Sequence, residues 1–215
     1  MRHFHTALGR IAAAALIVVS TTLVSAQVGK TQGVLDINTM KEADVATLPG
    51  LTPAIAKALA AKRPFMSITE LNAFLLSQGL TQEQANAVYG KAFVHINLNT
   101  ATAQEILLVP NAGKRMAHEF EEYRPWKTYA QFDKEIGKYV GAVKTAQLAQ
   151  YTFIPVRLNT ATDDDILSIP GTGQRMVREF KEYRPWKSKE QFIKEIGKYV
   201  GAKEAERMWR YVVID

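Results

Sequence analysis

Leu158-Asn159-Thr160-Ala161-Thr162 opens the stretch LNTATDDDILSIPGTGQRMVREFKEYRPWKSKEQFIKEIGKYVGA over 158–202, and much of this stretch has already run once, over 98–142. LNTAT stands at 98–102 and 158–162, EYRPWK at 122–127 and 182–187, KEIGKYVGA at 134–142 and 194–202. A more distant copy starts at Ile37-Asn38-Thr39 and passes through Leu48-Pro49-Gly50 to Arg63-Pro64-Phe65. In every copy the Asn lies eleven positions before a Pro (Asn38/Pro49, Asn99/Pro110, Asn159/Pro170). The spacing from that Pro to the Pro of the Arg-Pro-aromatic link is also the same each time. Matched spacings in three places define a repeat of about 60 residues. They divide the chain into units over 27–95, 96–155 and 156–215.

Each unit reads as four short helices. Asn-Thr supplies side-chain oxygens that accept from the free N–H groups of a first turn, so it reads as a helix start. Acidic residues follow, most clearly Asp163, Asp164 and Asp165, at the positive end of the helix dipole. Three adjacent helical positions point in different directions, so the triple Asp reads as capping and not as a metal site. The first helix stops at a Pro/Gly turn: Leu48-Pro49-Gly50-Leu51, Val109-Pro110-Asn111-Ala112-Gly113 and Ile169-Pro170-Gly171-Thr172-Gly173. A second helix carries Met116, Phe120 and Tyr123 at helical spacing. Arg-Pro then disfavours helix at the Arg and gives an extended link. A third helix carries Phe132 and Ile136, a turn reaches Gly141, and a fourth helix ends near Tyr151. The runs at Phe153-Ile154 and Val212–Ile214 are too short for a sheet. The expected fold is all-α, three tandem four-helix units.

What precedes the first unit reads differently. Residues 1–26, MRHFHTALGRIAAAALIVVSTTLVSA, combine Arg2 and Arg10 with an apolar core over 11–19 and small residues at Val24-Ser25-Ala26. That is the pattern of a cleaved secretory signal. Ser20, Thr21 and Thr22 interrupt the apolar run well before the roughly 20 residues that a bilayer span needs. A periplasmic or secreted protein is expected, membrane-bound only if the signal is retained. The chain holds 27 Lys+Arg against 21 Asp+Glu, a net charge of +6, and no cysteine. Disulfides, thiolate zinc sites and cysteine nucleophiles are thereby excluded. Two of the positive charges lie in the signal. The remaining excess is spread over three nearly neutral units, so bulk charge alone argues for no partner.

Helix, Pro-Gly-x-Gly turn, helix, arranged twice per 60 residues, resembles the tandem helix-hairpin-helix domain of the ComEA-like competence proteins. The resemblance rests on the I/L-N-T-A-type opening, the L-P-G turn and the Arg-Pro-aromatic link. It covers nearly all of residues 34–215, once per unit, so it implies three (helix-hairpin-helix)2 domains. It also implies an exported protein that binds DNA without sequence preference during DNA uptake. An independent physical reason exists for such binding. A Gly-x-Gly turn at a helix N-terminus exposes consecutive N–H groups that suit a phosphate oxygen, and such contacts leave base edges unread. The expected DNA-binding residues are Gly50 and Leu51; Gly113, Lys114 and Arg115; and Gly171, Thr172, Gly173, Gln174 and Arg175. Gly141 and Gly201 join them from the second hairpins.

The units depart from that pattern in places. Thr52 stands where the second Gly of the first turn belongs, and Asn111 replaces the first Gly of the second. Asn tolerates positive φ better than other non-Gly residues. The large aliphatic that usually sits between the glycines is present only as Leu51; Ala112 and Thr172 take its place elsewhere. Lys138-Tyr139-Val140-Gly141, Lys198-Tyr199-Val200-Gly201 and Gln78-Gly79-Leu80-Thr81 keep one Gly each. The stretch LPGLTPAIAKA over 48–58, with Gly79-Leu80-Thr81, is also similar to the PsbU-type extrinsic photosystem II subunit. That subunit uses the same hairpin domain for protein contacts. A protein-interaction or scaffold module is the alternative expectation, since a fold does not fix its ligand.

Other residues carry plainer readings. Trp126 and Trp186 align with Phe65 and read as core, rather than as platforms for stacked bases. Arg124 and Arg184 are open to two roles, a phosphate contact or a surface ion pair. His95 and His118 have no counterparts in the third unit and suggest no metal or general base. No nucleophile, base and acid cluster together. Neither an enzyme, a cofactor nor a small-molecule substrate is expected.

Overall fold

Serine and threonine place most of the helix starts in the structure, a computed structural model that describes residues 33–215. The signal read over residues 1–26 lies outside the described residues. Repeat 1 holds β1 (Leu35–Asp36), α1 (Glu42–Val45), α2 (Pro53–Lys62), α3 (Ile68–Ser77), α4 (Gln82–Tyr89) and β2 (Ala92–Phe93). Repeat 2 holds β3 (Ile96–Asn97), α5 (Ala103–Leu107), α6 (Lys114–Glu122), α7 (Tyr129–Ala149) and β4 (Thr152–Phe153). Repeat 3 holds β5 (Val156–Arg157), α8 (Asp163–Leu167), α9 (Gln174–Glu182), α10 (Lys189–Val200), α11 (Ala202–Trp209) and β6 (Val212–Val213). The described chain is mostly helical.

Thr52, Ser67, Thr81, Thr102, Thr128, Thr162 and Ser188 each accept from the backbone N–H three residues on. Such a cap stabilises a helix by about 1 kcal/mol. At Thr102 and Thr162 the third residue, Glu105 or Asp165, reaches back to the cap and closes a capping box. The triple Asp is accounted for in this way: Asp165 completes the box, and Asp163 pairs with Lys181 at 2.7 Å.

Two expectations are corrected. The Asn of the repeated opening is not a helix start. Asn38, Asn99 and Asn159 instead clamp the aromatic residue of the Arg-Pro link. Each side chain donates from Nδ2 to the carbonyl of Phe65, Trp126 or Trp186 and accepts that residue's N–H on Oδ1. The short runs at the ends of the repeats do pair. β1 with β2, β3 with β4 and β5 with β6 form parallel two-residue ladders that join the first and last strands of each repeat. Their backbone hydrogen bonds tie ends that local helix patterning leaves unconnected.

Arg124 and Arg184 resolve to neither of the roles left open for them. Arg184 donates from Nε to the Leu158 carbonyl at 2.7 Å and from Nη2 to the Ala161 carbonyl at 2.7 Å. Arg124 makes the same pair of bonds to Leu98 and Ala101, and Arg63 reaches Ile37 and Met40. The arginine thus holds the opening loop of its own repeat, and the Arg-Pro bond that follows is cis in all three.

Trp126 and Trp186 are fully buried, with their indole N–H groups donating to the Phe120 and Phe180 carbonyls at 2.8 Å. They pack on Phe132 and Phe192 with ring centroids 5.3 Å apart, the tilted geometry that aromatic quadrupoles favour. The buried apolar side chains form two clusters. One runs through repeats 1 and 2, joined where Phe93 meets Tyr151 at 5.0 Å. The other belongs to repeat 3 and takes in Phe153 of repeat 2, whose ring lies 4.6 Å from that of Tyr211. Only Val94-His95 and Ile154-Pro155 separate the strands of successive repeats. No helix among the described residues is long and apolar enough to cross a membrane.

Candidate nucleic-acid interface

The Pro/Gly turns place one residue in left-handed backbone each time: Gly50 at φ 75°, Asn111 at φ 65° and Gly171 at φ 82°. Asn at that position keeps the turn because its short polar side chain tolerates the conformation. The next small residue is different. Gly113 (φ −90°, ψ −177°) and Gly173 (φ −124°, ψ 179°) are ordinary extended backbone, and a Cβ at either would meet nothing within 4 Å. These glycines are therefore not needed for the turn itself. What they do is start a helix without a side-chain cap. Among the described helices α1, α6, α9 and α11 lack such a cap, and the last three begin at glycine.

Consequently the first-turn N–H groups of α6 and α9 have no side-chain acceptor, and they start beside exposed Gly113, Lys114 and Arg115 or Gly173, Gln174 and Arg175. In repeat 1 Thr52 accepts from the Ile55 N–H at 3.3 Å and occupies part of the equivalent site. Leu51 is half-buried against the core beside exposed Gly50. Thr172 turns inward too, its hydroxyl donating to the Ile169 carbonyl.

The second hairpins come beside the first. The Arg115 guanidinium lies 4.6 Å from the Tyr139 ring centre, and Arg175 lies 5.1 Å from that of Tyr199. The Tyr139 and Tyr199 hydroxyls are hydrogen-bonded to those of Tyr123 and Tyr183 at 2.9 Å and 3.1 Å. Hydrogen bonding to these partners and to Glu119 or Glu179 pushes both phenols up. Lys138 and Lys198 lie over the Tyr123 and Tyr183 rings. Each also pairs with a glutamate one turn before it; that hydrogen bond holds Glu135 and Glu195 below, and the two lysines above, their ordinary range. A ladder of cation, ring, ring and cation thus spans the two hairpins of repeats 2 and 3. Repeat 1 has Ala54, Lys62, Ser77 and Gln78 at the matching positions and lacks it. In the sequence these tyrosines signal themselves only by the recurrence of Lys-Tyr-Val-Gly after Glu-Tyr-Arg-Pro-Trp, which by itself reads as turn and core.

Gly141 and Gly201 are the one glycine that each of these second hairpins keeps. Each is a single left-handed corner, at φ 75° and φ 83°, between helical segments. Neither forms a Gly-x-Gly loop. α7 runs on through Gly141, and α11 starts at the residue after Gly201.

Gly171 is placed unexpectedly. A Cβ there would lie 3.0 Å from Arg207 Nη2 and 3.2 Å from Thr39 Cγ2, so this turn of repeat 3 is packed against repeat 1. A buried polar cluster adjoins it. The Tyr211 hydroxyl donates to Asp36 Oδ2, Arg210 Nη2 donates to the His95 carbonyl at 3.0 Å, and His95 Nδ1 lies 3.7 Å from Asp36. Arg207, also buried, donates to the Pro170 carbonyl and pairs with Glu204. Burial alone would push the Asp36 carboxyl up; His95, Arg207 and the Tyr211 hydroxyl outweigh it and hold the group at about 2. His118 is exposed and pairs with Glu122 at 3.0 Å.

No protein-family model, no curated protein and no solved structure matches this chain.

Proposed function

We propose that the protein is an exported, non-enzymatic DNA-binding protein of the ComEA-like kind, built of three tandem (helix-hairpin-helix)2 domains. It holds the sugar-phosphate backbone without reading sequence and serves DNA uptake in the periplasm or outside the cell. The observation that carries this reading is the pair of uncapped first turns at Gly113 and Gly173, each with an exposed arginine at the second position of its helix. Free N–H groups at a helix N-terminus and a neighbouring guanidinium form a site for one phosphate. Repeats 2 and 3 supply the main contacts, and repeat 1, capped by Thr52 and without the ladder, contributes little. Sites linked in series act at local concentrations of about millimolar, so individually weak contacts add usefully.

A DNA titration at two salt concentrations tests this. Phosphate binding requires log K to fall with log salt by about 0.9 per neutralised phosphate on duplex DNA. Arg115→Glu combined with Arg175→Glu lowers affinity at least several-fold and flattens the slope, with helicity unchanged. Absence of binding at about 50 mM salt excludes the reading.

One observation favours a second reading, a protein-interaction module. Gly171, in the turn best matched to the binding pattern, is spent on a contact between repeats. A chain that retains its contacts with protein partners but gives no salt-dependent DNA binding meets that description.

A further inference from the structure

Repeat 3 rests on repeat 1 with the turn over 167–172 and the side of α11 that runs on to Tyr211. Gly171 meets Thr39, Tyr211 donates to Asp36, and Arg210 donates to the His95 carbonyl. Lys203 and Glu206 face Pro64 and Met66 across a shallow cleft. The receiving surface on repeat 1 is therefore Asp36, Thr39, Pro64, Met66 and His95.

The matching positions of repeat 2 are Asn97, Thr100, Pro125, Lys127 and Pro155. They line an open groove of about 490 Å3 at the junction of repeats 2 and 3. Val213, 43% exposed, lines it from the repeat 3 side. Repeat 2 also carries the inserting surface. Leu107 stands where repeat 3 has Leu167, Val143 where it has Lys203, and Ala146 where it has Glu206. Leu107 is 46% exposed and Val143 76% exposed, the largest value among the exposed large apolar residues described. Repeat 2 thus bears both halves of a contact already made once within the molecule, and neither half is covered among the described residues.

The two vacant halves also suit each other chemically. In the contact between repeats 1 and 3 the Asp36 charge is met by His95 of its own repeat and, across the contact, by the Tyr211 hydroxyl and the field of Arg207. The corresponding residues of repeat 2 are Asn97 and Gln147, two neutral amides. Charged Lys203 and Glu206 are replaced by Val143 and Ala146, and the Met66 position by Lys127, whose methylene stem can cover an apolar neighbour. Gln150, in the place of Arg210, offers an N–H donor to the Pro155 carbonyl as Arg210 does to that of His95. Mixing a half of one contact with a half of the other sets a neutral amide opposite Asp36 or Arg207, both buried there, and removes their mutual attraction.

We propose that a second copy of this chain fills the groove, with the Leu107–Val143 face of one copy seated in the Asn97–Pro155 groove of the next. Such a head-to-tail contact leaves one face and one groove open, so copies add into open chains. Gly171, Gly173 and Arg175 all stay exposed although the turn touches repeat 1. Docking of repeat 2 accordingly leaves Gly113 and Arg115 free, and the proposal stands apart from the DNA reading.

Sedimentation of the chain starting at Gln27, which holds every described element, tests it. The unaltered chain shows a weight-average mass that climbs with concentration. Leu107→Glu with Val143→Glu blocks the inserting face; Thr100→Glu with Val213→Glu blocks the groove. Each double variant alone sediments as a monomer with unchanged helicity. Mixed in equal amounts, they give a dimer and nothing larger, because each retains the half the other lacks. A monomeric parent chain, continued association of either variant, or a mixture that stays monomeric would each overturn the proposal.

Discussion

Asn99 and Trp126, 27 residues apart, exchange two hydrogen bonds: Asn99 Nδ2 donates to the Trp126 carbonyl at 3.0 Å, and the Trp126 N–H donates to Asn99 Oδ1 at 2.6 Å. A side-chain amide here stands in for a strand neighbour, satisfying a backbone donor and acceptor next to a fully buried indole. Asn99→Ala leaves both groups without a partner and lowers stability by about 1–3 kcal/mol. Urea unfolding measures this as a lower midpoint at unchanged slope. A midpoint within error of the parent chain contradicts the clamp.

The contact between repeats 1 and 3 carries a pH signature. The Asp36 carboxyl is held at about 2, below its ordinary 3.8. A carboxylate depressed on folding stabilises the protein above its unfolded pKa, and that contribution disappears as pH falls from about 4 through about 2. Its size is on the order of 2 kcal/mol. Stability curves of the parent chain therefore steepen in that window, and those of Asp36→Asn lose this component. Equal slopes in the two proteins would remove Asp36 as the cause.

Two glycines two residues apart respond oppositely to a methyl group. Gly171→Ala forces a left-handed residue to carry a Cβ against Arg207 and Thr39, and it lowers stability by about 1–2 kcal/mol. Gly173→Ala, in extended backbone with open space around it, stays within about 0.5 kcal/mol. Thermal melts of the two variants distinguish them; similar shifts would refute the conformational assignment.

Thr52 shows how to close the proposed phosphate sites without damaging the helices. Gly113→Thr with Gly173→Thr gives α6 and α9 a hydroxyl that accepts from their own first-turn N–H groups. Stability then changes by only a few tenths of a kcal/mol per site, since Gly and Thr are near-equal caps. DNA affinity falls several-fold in a low-salt titration. Undiminished affinity would show that the phosphate is held elsewhere.

Much of the fold could be read from local pattern. The 60-residue period, the Pro/Gly turns and the positive φ at Asn111 rest on a few adjacent residues. So does the burial of Trp126 and Trp186, which follows from their alignment with Phe65. Local pattern puts the helix start at Asn99 and the structure puts it at Thr102, because Asn is an equally good cap in isolation. Its real partner lies beyond the next two helices. The short strands escape local pattern for the same reason. Two residues carry too little periodicity to announce a ladder whose other strand is more than fifty residues away.

The candidate site divides along the same line. That Gly113 and Gly173 begin helices beside an arginine is written in consecutive residues, and so is the threonine cap that repeat 1 has instead. That Tyr139 and Tyr199 lie under those arginines depends on how two hairpins pack. The crowding at Gly171 depends on Thr39 and Arg207, and Tyr211 meets Asp36 across 175 residues. Local sequence determines which backbone groups a turn leaves free, because φ, ψ and capping involve neighbours only. Which of those turns stays open to a partner was settled by tertiary packing, because burial and charge pairing are set by residues that meet only once the repeats have folded against one another.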